Sequence, residues 1–207
     1  MILYLVRHGE TAYNRDGRGL GRSDISLTEA GERQAAALGS RLATTRIDRI
    51  LTSPLLRARQ TARAIAGERQ IAIEPREELT EMDVGETDGL TMAEMRSRYP
   101  DFLRRWAGED CAALHMPGGE SLEDVRARLR PLVEELQVLS PAGDDTIALV
   151  SHNFTLKVLC CELLRVELAK FRGFTLDLAS LSTVVLREGR VSIRALNDRC
   201  HLEELEP

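Results

Sequence analysis

The run Arg7-His8-Gly9-Glu10-Thr11 begins where the apolar stretch Ile2-Leu3-Tyr4-Leu5-Val6 ends. An imidazole in that position is a nucleophile, and a guanidinium beside it holds a phosphate through a two-pronged, charge-assisted contact. A second apolar stretch, Thr146-Ile147-Ala148-Leu149-Val150, runs into Ser151-His152-Asn153 in the same way. Arg57 falls early in an expected helix, where a cation opposes the helix dipole by about a few tenths of a kcal/mol unless an anion waits there. A lone histidine before a helix is more often a surface or capping residue. Two in matched contexts, with arginines near, point instead to phosphoryl transfer, whose transition state spreads charge over oxygens that fixed cations stabilise.

The elements that must position these groups follow from the apolar pattern. Short apolar runs read as buried strands, so His8 and His152 emerge at the carboxyl ends of strands, where open α/β sheets place their ligand crevice. The helix after His152, from Phe154 to Leu164, is expected to aim its free amides and positive dipole end into that crevice. Between the two strands, Ser26-Leu27-Thr28-Glu29 offers a helix start by a capping box or by Thr28 alone. Arg49-Ile50-Leu51-Thr52 is a short strand, and Ser53 with Pro54 forms a start signal for a helix to about Ala66. Ile71-Ala72-Ile73 is a third strand candidate. Residues 120–139 read as a long amphipathic helix bent at Pro131. Two final strands, Ser182 to Leu186 and Val191 to Leu196, flank Arg187-Glu188-Gly189-Arg190 as an edge hairpin. The order is that of a mixed, mostly parallel sheet.

Composition narrows the function classes. The 207 residues suffice for a buried core, 43% are hydrophobic, 29% are charged and the net charge is −5. An acidic chain has no basic field for nucleic acid, and no stretch approaches the length of a membrane span. Nucleic-acid and membrane partners are therefore not expected. The first residues carry no leader pattern, so a cytoplasmic location is expected. An anion site in such a chain must concentrate cations locally; Arg7, Arg18, Arg22, Arg57 and Arg59 are the candidates. Cys111, Cys160, Cys161 and Cys200 show no metal or redox spacing and read as reduced packing residues. No metal site or cofactor is expected, and His115 and His201 read as structural or surface groups.

The middle of the chain is less regular. Thr91 with Glu94 caps one helix, and Pro100 opens a second that carries Tyr99, Phe102 and Trp106 on one face. Those aromatics either hold this excursion onto the main body or wall a substrate pocket.

Residues 5–11, 53–62, Pro117-Gly118-Gly119-Glu120-Ser121 and Val150-Ser151-His152, in this order, resemble the motifs of the histidine phosphatase superfamily, also called phosphoglycerate mutase-like. Residues 27–31 and 79–85 are similar to its pattern too, so the likeness spans nearly the whole chain. The resemblance implies a three-layer α/β/α sandwich, read as one domain over 1–207 with a small helical cap insertion at about 86–118. It implies that His8 attacks phosphorus to form a phosphohistidine, that Arg7, Arg57 and His152 bind the phosphoryl oxygens, and that Asn14 adds a hydrogen bond near the pocket. Asn153, beside His152, is counted with the substrate-binding residues. Glu81 would protonate the leaving alcohol and then activate water, which requires it protonated at the first step. Asp83, Glu86 and Asp88 stand close to it in sequence and compete for that role, or form a solvated acidic loop. The chain departs from the family at Leu20, where a glutamine is common, at Thr87, where a tryptophan is usual, and at Asn153, where glycine is common.

The reading that results is a phosphatase branch member: a metal-independent phosphomonoesterase for a small phosphorylated metabolite. The alternatives are a phosphoglycerate mutase and a non-catalytic phosphate-binding module. The chain lacks the Glu-Arg-His-Tyr-Gly run that follows the acid in cofactor-dependent mutases. A binding module needs neither nucleophile nor proton donor. The edge hairpin offers a surface on which a second copy could pair.

Overall fold

The computed structural model describes residues 1–139, 144–187 and 189–205. Its strands are β1 (Ile2–Arg7), β2 (Arg49–Thr52), β3 (Ala72–Pro75), β4 (Thr146–Ser151), β5 (Leu181–Arg187) and β6 (Arg190–Asp198). Among the described residues these form one sheet in the order β3-β2-β4-β1-β5-β6. The first four strands are parallel, and β5 and β6 run antiparallel at one edge, as the hairpin pattern implied. Glu188, in the expected turn of that hairpin, lies outside the described residues.

The helices are α1 (Ala12–Arg15), α2 (Glu29–Arg41), α3 (Leu56–Ala66), α4 (Met92–Arg98), α5 (Pro100–Trp106), α6 (Leu122–Leu139) and α7 (Asn153–Leu164). Alternation along the central strands dictates the layers, because successive side chains of a strand point to opposite faces. Leu3, Leu5, Ile147 and Leu149 pack with Leu129, Leu132, Leu156 and Leu159 of α6 and α7. Val6, Ala148 and Val150 pack with Leu38, Ala58, Ala62 and Ile65 of α2 and α3. The result is the expected sandwich, with β4 buried along its whole length.

Local signals explain most of the boundaries. Thr28, not Ser26, caps α2 by accepting from the amide of Gly31. Thr91 and Glu94 form the capping box of α4, and Pro100 is the first residue of α5. Ser121 and Asp124 make the same reciprocal pair at the start of α6. The Ser53-Pro54 signal is overridden: α3 begins at Leu56, and the Asp24 carboxylate accepts from the Leu56 amide at 2.6 Å instead. Among the described residues no helix is long and apolar enough to cross a membrane.

Candidate active site

Register brings the two histidines together. β1 pairs with β4 so that Arg7 lies opposite Ser151, and the ladder continues one step as the His8 amide donates to Ser151 O at 3.1 Å. The next side chains are therefore neighbours: the rings of His8 and His152 lie 5.0 Å apart, both buried.

Hydrogen bonds fix which nitrogen of the His8 ring does what. Arg57 Nε can only donate, and it lies 3.3 Å from His8 Nε2, so Nε2 accepts. A carbonyl can only accept, and Gly9 O lies 2.7 Å from His8 Nδ1, so Nδ1 carries the proton. Burial first, then the charges of Arg57 and Arg7, hold the His8 pKa well below the usual imidazole value; the ring is neutral with its Nε2 lone pair facing the crevice. Burial and the same arginines hold His152 neutral as well. Its Nε2 lies 2.7 Å from Ser53 Oγ, which also accepts from the Leu55 amide at 3.2 Å. The hydroxyl can give its proton to Nε2 or accept one from it; the other ring nitrogen, Nδ1, is buried with no partner among the described residues. Ser53 is thus a site residue that the sequence disguised as a helix cap.

Two guanidinium groups complete the pocket. Arg57 is fully buried, and its two terminal nitrogens donate to Gly21 O at 2.7 Å and Ser23 O at 2.8 Å. Burial pulls its pKa down to about 10, against the attraction of Glu81, Asp24 and Asp88. Arg7 donates to Leu176 O at 2.7 Å, while its Nε, like His152 Nδ1, is buried and unpartnered. Burial lowers its pKa too, offset by Glu81 and Asp177. Two unpartnered buried nitrogens beside the neutral His8 ring are places where a polar ligand would restore lost hydrogen bonds, because an unpaired buried polar group costs about 1–3 kcal/mol.

Glu81 is buried against the start of α7. Its Oε1 accepts from the amides of Met82 and Thr155, its Oε2 accepts from the Phe154 amide at 3.2 Å, and the nearby Thr155 hydroxyl gives its proton to Thr80 O at 2.7 Å. This corrects the expectation for the helix after His152. Its leading amides are aimed at a carboxylate of the protein rather than free for a ligand, since a helix N-terminus attracts whichever anion is nearest.

The remaining candidates sort clearly. Asn14 uses its Oδ1 on the amide and hydroxyl of Thr11, leaving its amide nitrogen at a polar mouth of about 370 Å³ lined also by Arg7, Arg18, Gln34, Asp177 and Arg199. Asn153 opens α7 beside His152 and is half-buried. Arg22 is paired with Glu120 and Asp83, and Arg59 is exposed.

The acidic neighbours of Glu81 each have a partner, with Glu86 exposed and Asp83 and Asp88 half-buried. Asp83 accepts from the Gly85 amide, and Glu86 accepts from the Tyr99 hydroxyl. Asp88 accepts from the amides of Gly21 and Ser23, whose carbonyls hold Arg57. A Cβ on Gly21 would sit 2.7 Å from Val84 Cγ2, so only glycine lets this loop lie against the strap that follows Glu81. Glu120 of the Pro-Gly-Gly-Glu-Ser motif braces the same strap by accepting from the Asp83 amide.

Away from the pocket, His115 pairs with Asp124. Cys200 is exposed rather than packed, in contrast to Cys111, Cys160 and Cys161. Asp198, Cys200 and His201 each bring a ligand-type atom within 4.8 Å of the others, while Asp198 is paired with Arg41 and His201 lies against Ala179 O. Phe102 and Trp106 of the cap segment line an apolar cavity beside the pocket, together with Leu20 and Thr87, two of the three positions of family departure. Tyr99 is outside that lining, tied to Glu86.

Comparison with known proteins places the chain in a family. The chain is 36% identical over 202 residues to phosphoserine phosphatase 1 of Hydrogenobacter thermophilus, covering 98% of this chain and 94% of the relative. Its fold superposes on the α-ribazole phosphatase of Shigella flexneri with a TM-score of 0.87 at 28% identity, covering 96% and 97% of the two chains. It superposes on a mycobacterial glucosyl-3-phosphoglycerate phosphatase in complex with VO3 with a TM-score of 0.85 at 32% identity, covering 95% and 98%. The family model of the histidine phosphatase superfamily (branch 1) matches residues 3–199, and the chain is a phosphatase belonging to that superfamily.

Proposed function

We propose that this enzyme hydrolyses a small phosphomonoester, without a metal ion, through a phosphohistidine on His8. The observation that carries the reading is a buried His8 with Arg57 Nε 3.3 Å from its Nε2 and the His152 ring 5.0 Å away, beside the buried unpartnered nitrogens Arg7 Nε and His152 Nδ1. A phosphoryl group bound there would give those nitrogens a partner and meet the nucleophile.

In the first step the Nε2 lone pair forms the N–P bond as the P–O ester bond breaks, and the departing oxygen takes a proton from Glu81. Oε1 already accepts from two backbone amides and Oε2 from one, so Oε2 is the oxygen that carries and delivers this proton. In the second step Glu81 takes a proton from water, the water oxygen bonds to phosphorus, and the N–P bond breaks to return neutral His8. Gly9 O holds the Nδ1 proton throughout, which stabilises the positive charge on the ring of the phosphoenzyme. The guanidinium groups supply the electrostatic stabilisation that a metal ion supplies in other phosphoryl-transfer sites.

The test is a rapid quench of the enzyme during turnover of p-nitrophenyl phosphate in the presence of chelator. Acid-labile, alkali-stable phosphate on His8 is expected, and His8→Ala should lose both the adduct and turnover. Undiminished turnover in His8→Ala overturns the nucleophile. Interconversion of two phosphoglycerates without release of phosphate would mark a mutase, and neither activity would mark a binding module.

A further inference from the structure

We propose that the alcohol half of the preferred substrate is an uncharged apolar group, aromatic or branched, and that zwitterionic and polyhydroxylated alcohols are disfavoured. The proposal rests on the phosphohistidine reading above and adds the class of leaving group.

A cavity of about 320 Å³ lies under the cap, walled by Leu20, Leu90, Met95, Trp106, Met116 and Phe154 among others. The three segments that build the phosphoryl pocket also build this cavity. Leu20 precedes Gly21, whose carbonyl holds Arg57. Val84 follows Glu81 by three residues and lines the cavity. Phe154 gives its amide to Glu81 Oε2 and lines the cavity itself. The cavity therefore adjoins the carboxyl group that protonates the departing oxygen, which is the side on which the alcohol leaves.

Its polar capacity is small. Among the described lining residues the one charged side chain is Arg18, which donates to Gly89 O at 2.8 Å and lies 3.8 Å from Glu94. The Thr87 hydroxyl is spent on Val84 O at 2.7 Å. A buried ammonium, carboxylate or row of hydroxyls would find little to replace its water. The wall is also preformed: Trp106 stacks on Phe102 and meets Phe154 and Phe171 at ring distances of 6.2 and 5.9 Å, with Arg172 over the Trp106 and Phe171 rings. Stiff aromatic walls with few polar groups favour an apolar ligand of matching shape.

The experiment compares alkyl esters of similar leaving-group basicity: 2-phenylethyl phosphate, ethyl phosphate, glycerol phosphate and phosphoserine. The phenylethyl ester is expected to exceed the others in kcat/KM by about tenfold or more, mainly through KM. Leu20→Gln and, independently, Met95→Gln should each shrink the phenylethyl-to-ethyl ratio severalfold. Labelling of His8 by acetyl phosphate, whose leaving group is too small to use the cavity, is measured in the same preparations. Loss of that labelling overturns the phosphohistidine reading. Intact labelling with phosphoserine or glycerol phosphate equal to or better than the phenylethyl ester overturns only the apolar preference, as does an unchanged ratio in both variants.

Discussion

The phosphoryl pocket and the cap cavity touch along residues 81–84 and at Phe154, yet they are built on opposite principles. In the pocket the polar side chains described are held by backbone groups or by one another: Arg57 by two carbonyls, His8 by Gly9 O, Glu81 by the amides at the start of α7. The cavity is a set of side-chain surfaces on the stretches 17–20 and 84–90, Met116, two short helices and the start of α7, with little hydrogen bonding to fix their identity. Backbone geometry follows from the sheet and tolerates few substitutions. Side-chain surface is exchanged one residue at a time. The difference teaches that a change in the pocket should cost rate on every substrate, whereas a change in the cavity should re-rank substrates.

The largest test of that division is Arg57→Ala. It removes a cation from the reacting phosphoryl group and is expected to lower kcat/KM by about 10³-fold or more, nearly equally for aryl, alkyl and acyl phosphates. Arg57→Lys should recover little, because an ammonium cannot hold Gly21 O and Ser23 O while presenting a third nitrogen to His8. A loss confined to one substrate class would erase the boundary between pocket and cavity.

Glu81 sits on that boundary, so its replacement should read out both sides. Glu81→Gln is expected to cost about 10²- to 10⁴-fold on alkyl phosphates, whose leaving oxygen needs a proton, and far less on p-nitrophenyl phosphate. Equal losses on both would remove it as the proton donor and leave it a bracket for α7. Smaller still is the effect of Asp88, which touches no reacting atom but accepts from the two amides of the loop that grips Arg57. Asp88→Ala should lower kcat about ten- to a hundredfold, with KM little changed and Asn recovering part of the loss. No recovery by Asn together with a fall in thermal stability would reduce Asp88 to a structural role.

What could be read from the chain alone divides along the same line. Strands β1 and β4 were legible because a buried run that stops at Arg7-His8 or Ser151-His152 carries its own evidence: apolar residues where the sheet is covered, chemistry where it ends. The mixed sheet and its antiparallel edge followed from the order of elements and the hairpin signal, and the sandwich from the family resemblance. Ser53 was not legible, because Ser-Pro is locally a helix start, and the bond to His152 joins residues 99 positions apart. Asp88 read as solvated for the same reason, its partners lying 65 and 67 residues earlier. The amides of α7 were foreseen as an anion site, but nothing local in the sequence says that Glu81 fills it. Periodicity reports which face of an element is buried; it does not report which distant polar group that face meets.

The mildest probe of the pocket is the pH dependence of stability. His8 and His152 have folded-state pKa values below the ordinary 6.5, chiefly through burial and then through the nearby arginines, and His201 is lowered by burial as well. At pH above 6.5 these rings are neutral in both folded and unfolded chains and contribute no pH dependence. As pH falls through 6.5 the unfolded chain binds protons that the folded chain refuses, so the folded state loses stability by up to about 1.4 kcal/mol per pH unit for each such ring. The loss continues until the folded-state values are reached. Carboxylates whose folded pKa is lowered, such as Glu74 and Glu78 beside Arg49 and Arg76, add a separate loss only near and below their ordinary value of 4.5. Urea unfolding at pH 7.5, 6.5 and 5.5 should therefore show a steepening decline, and His152→Asn should reduce the slope between the last two points by about 0.7 proton. A curve flat over that range, or a slope unaffected by the substitution, would mean that the rings accept protons in the folded state and that the pocket is not poised with a neutral nucleophile. The cap cavity predicts no such signature: Met95→Gln should shift the whole curve without changing its slope, because it adds no group that titrates.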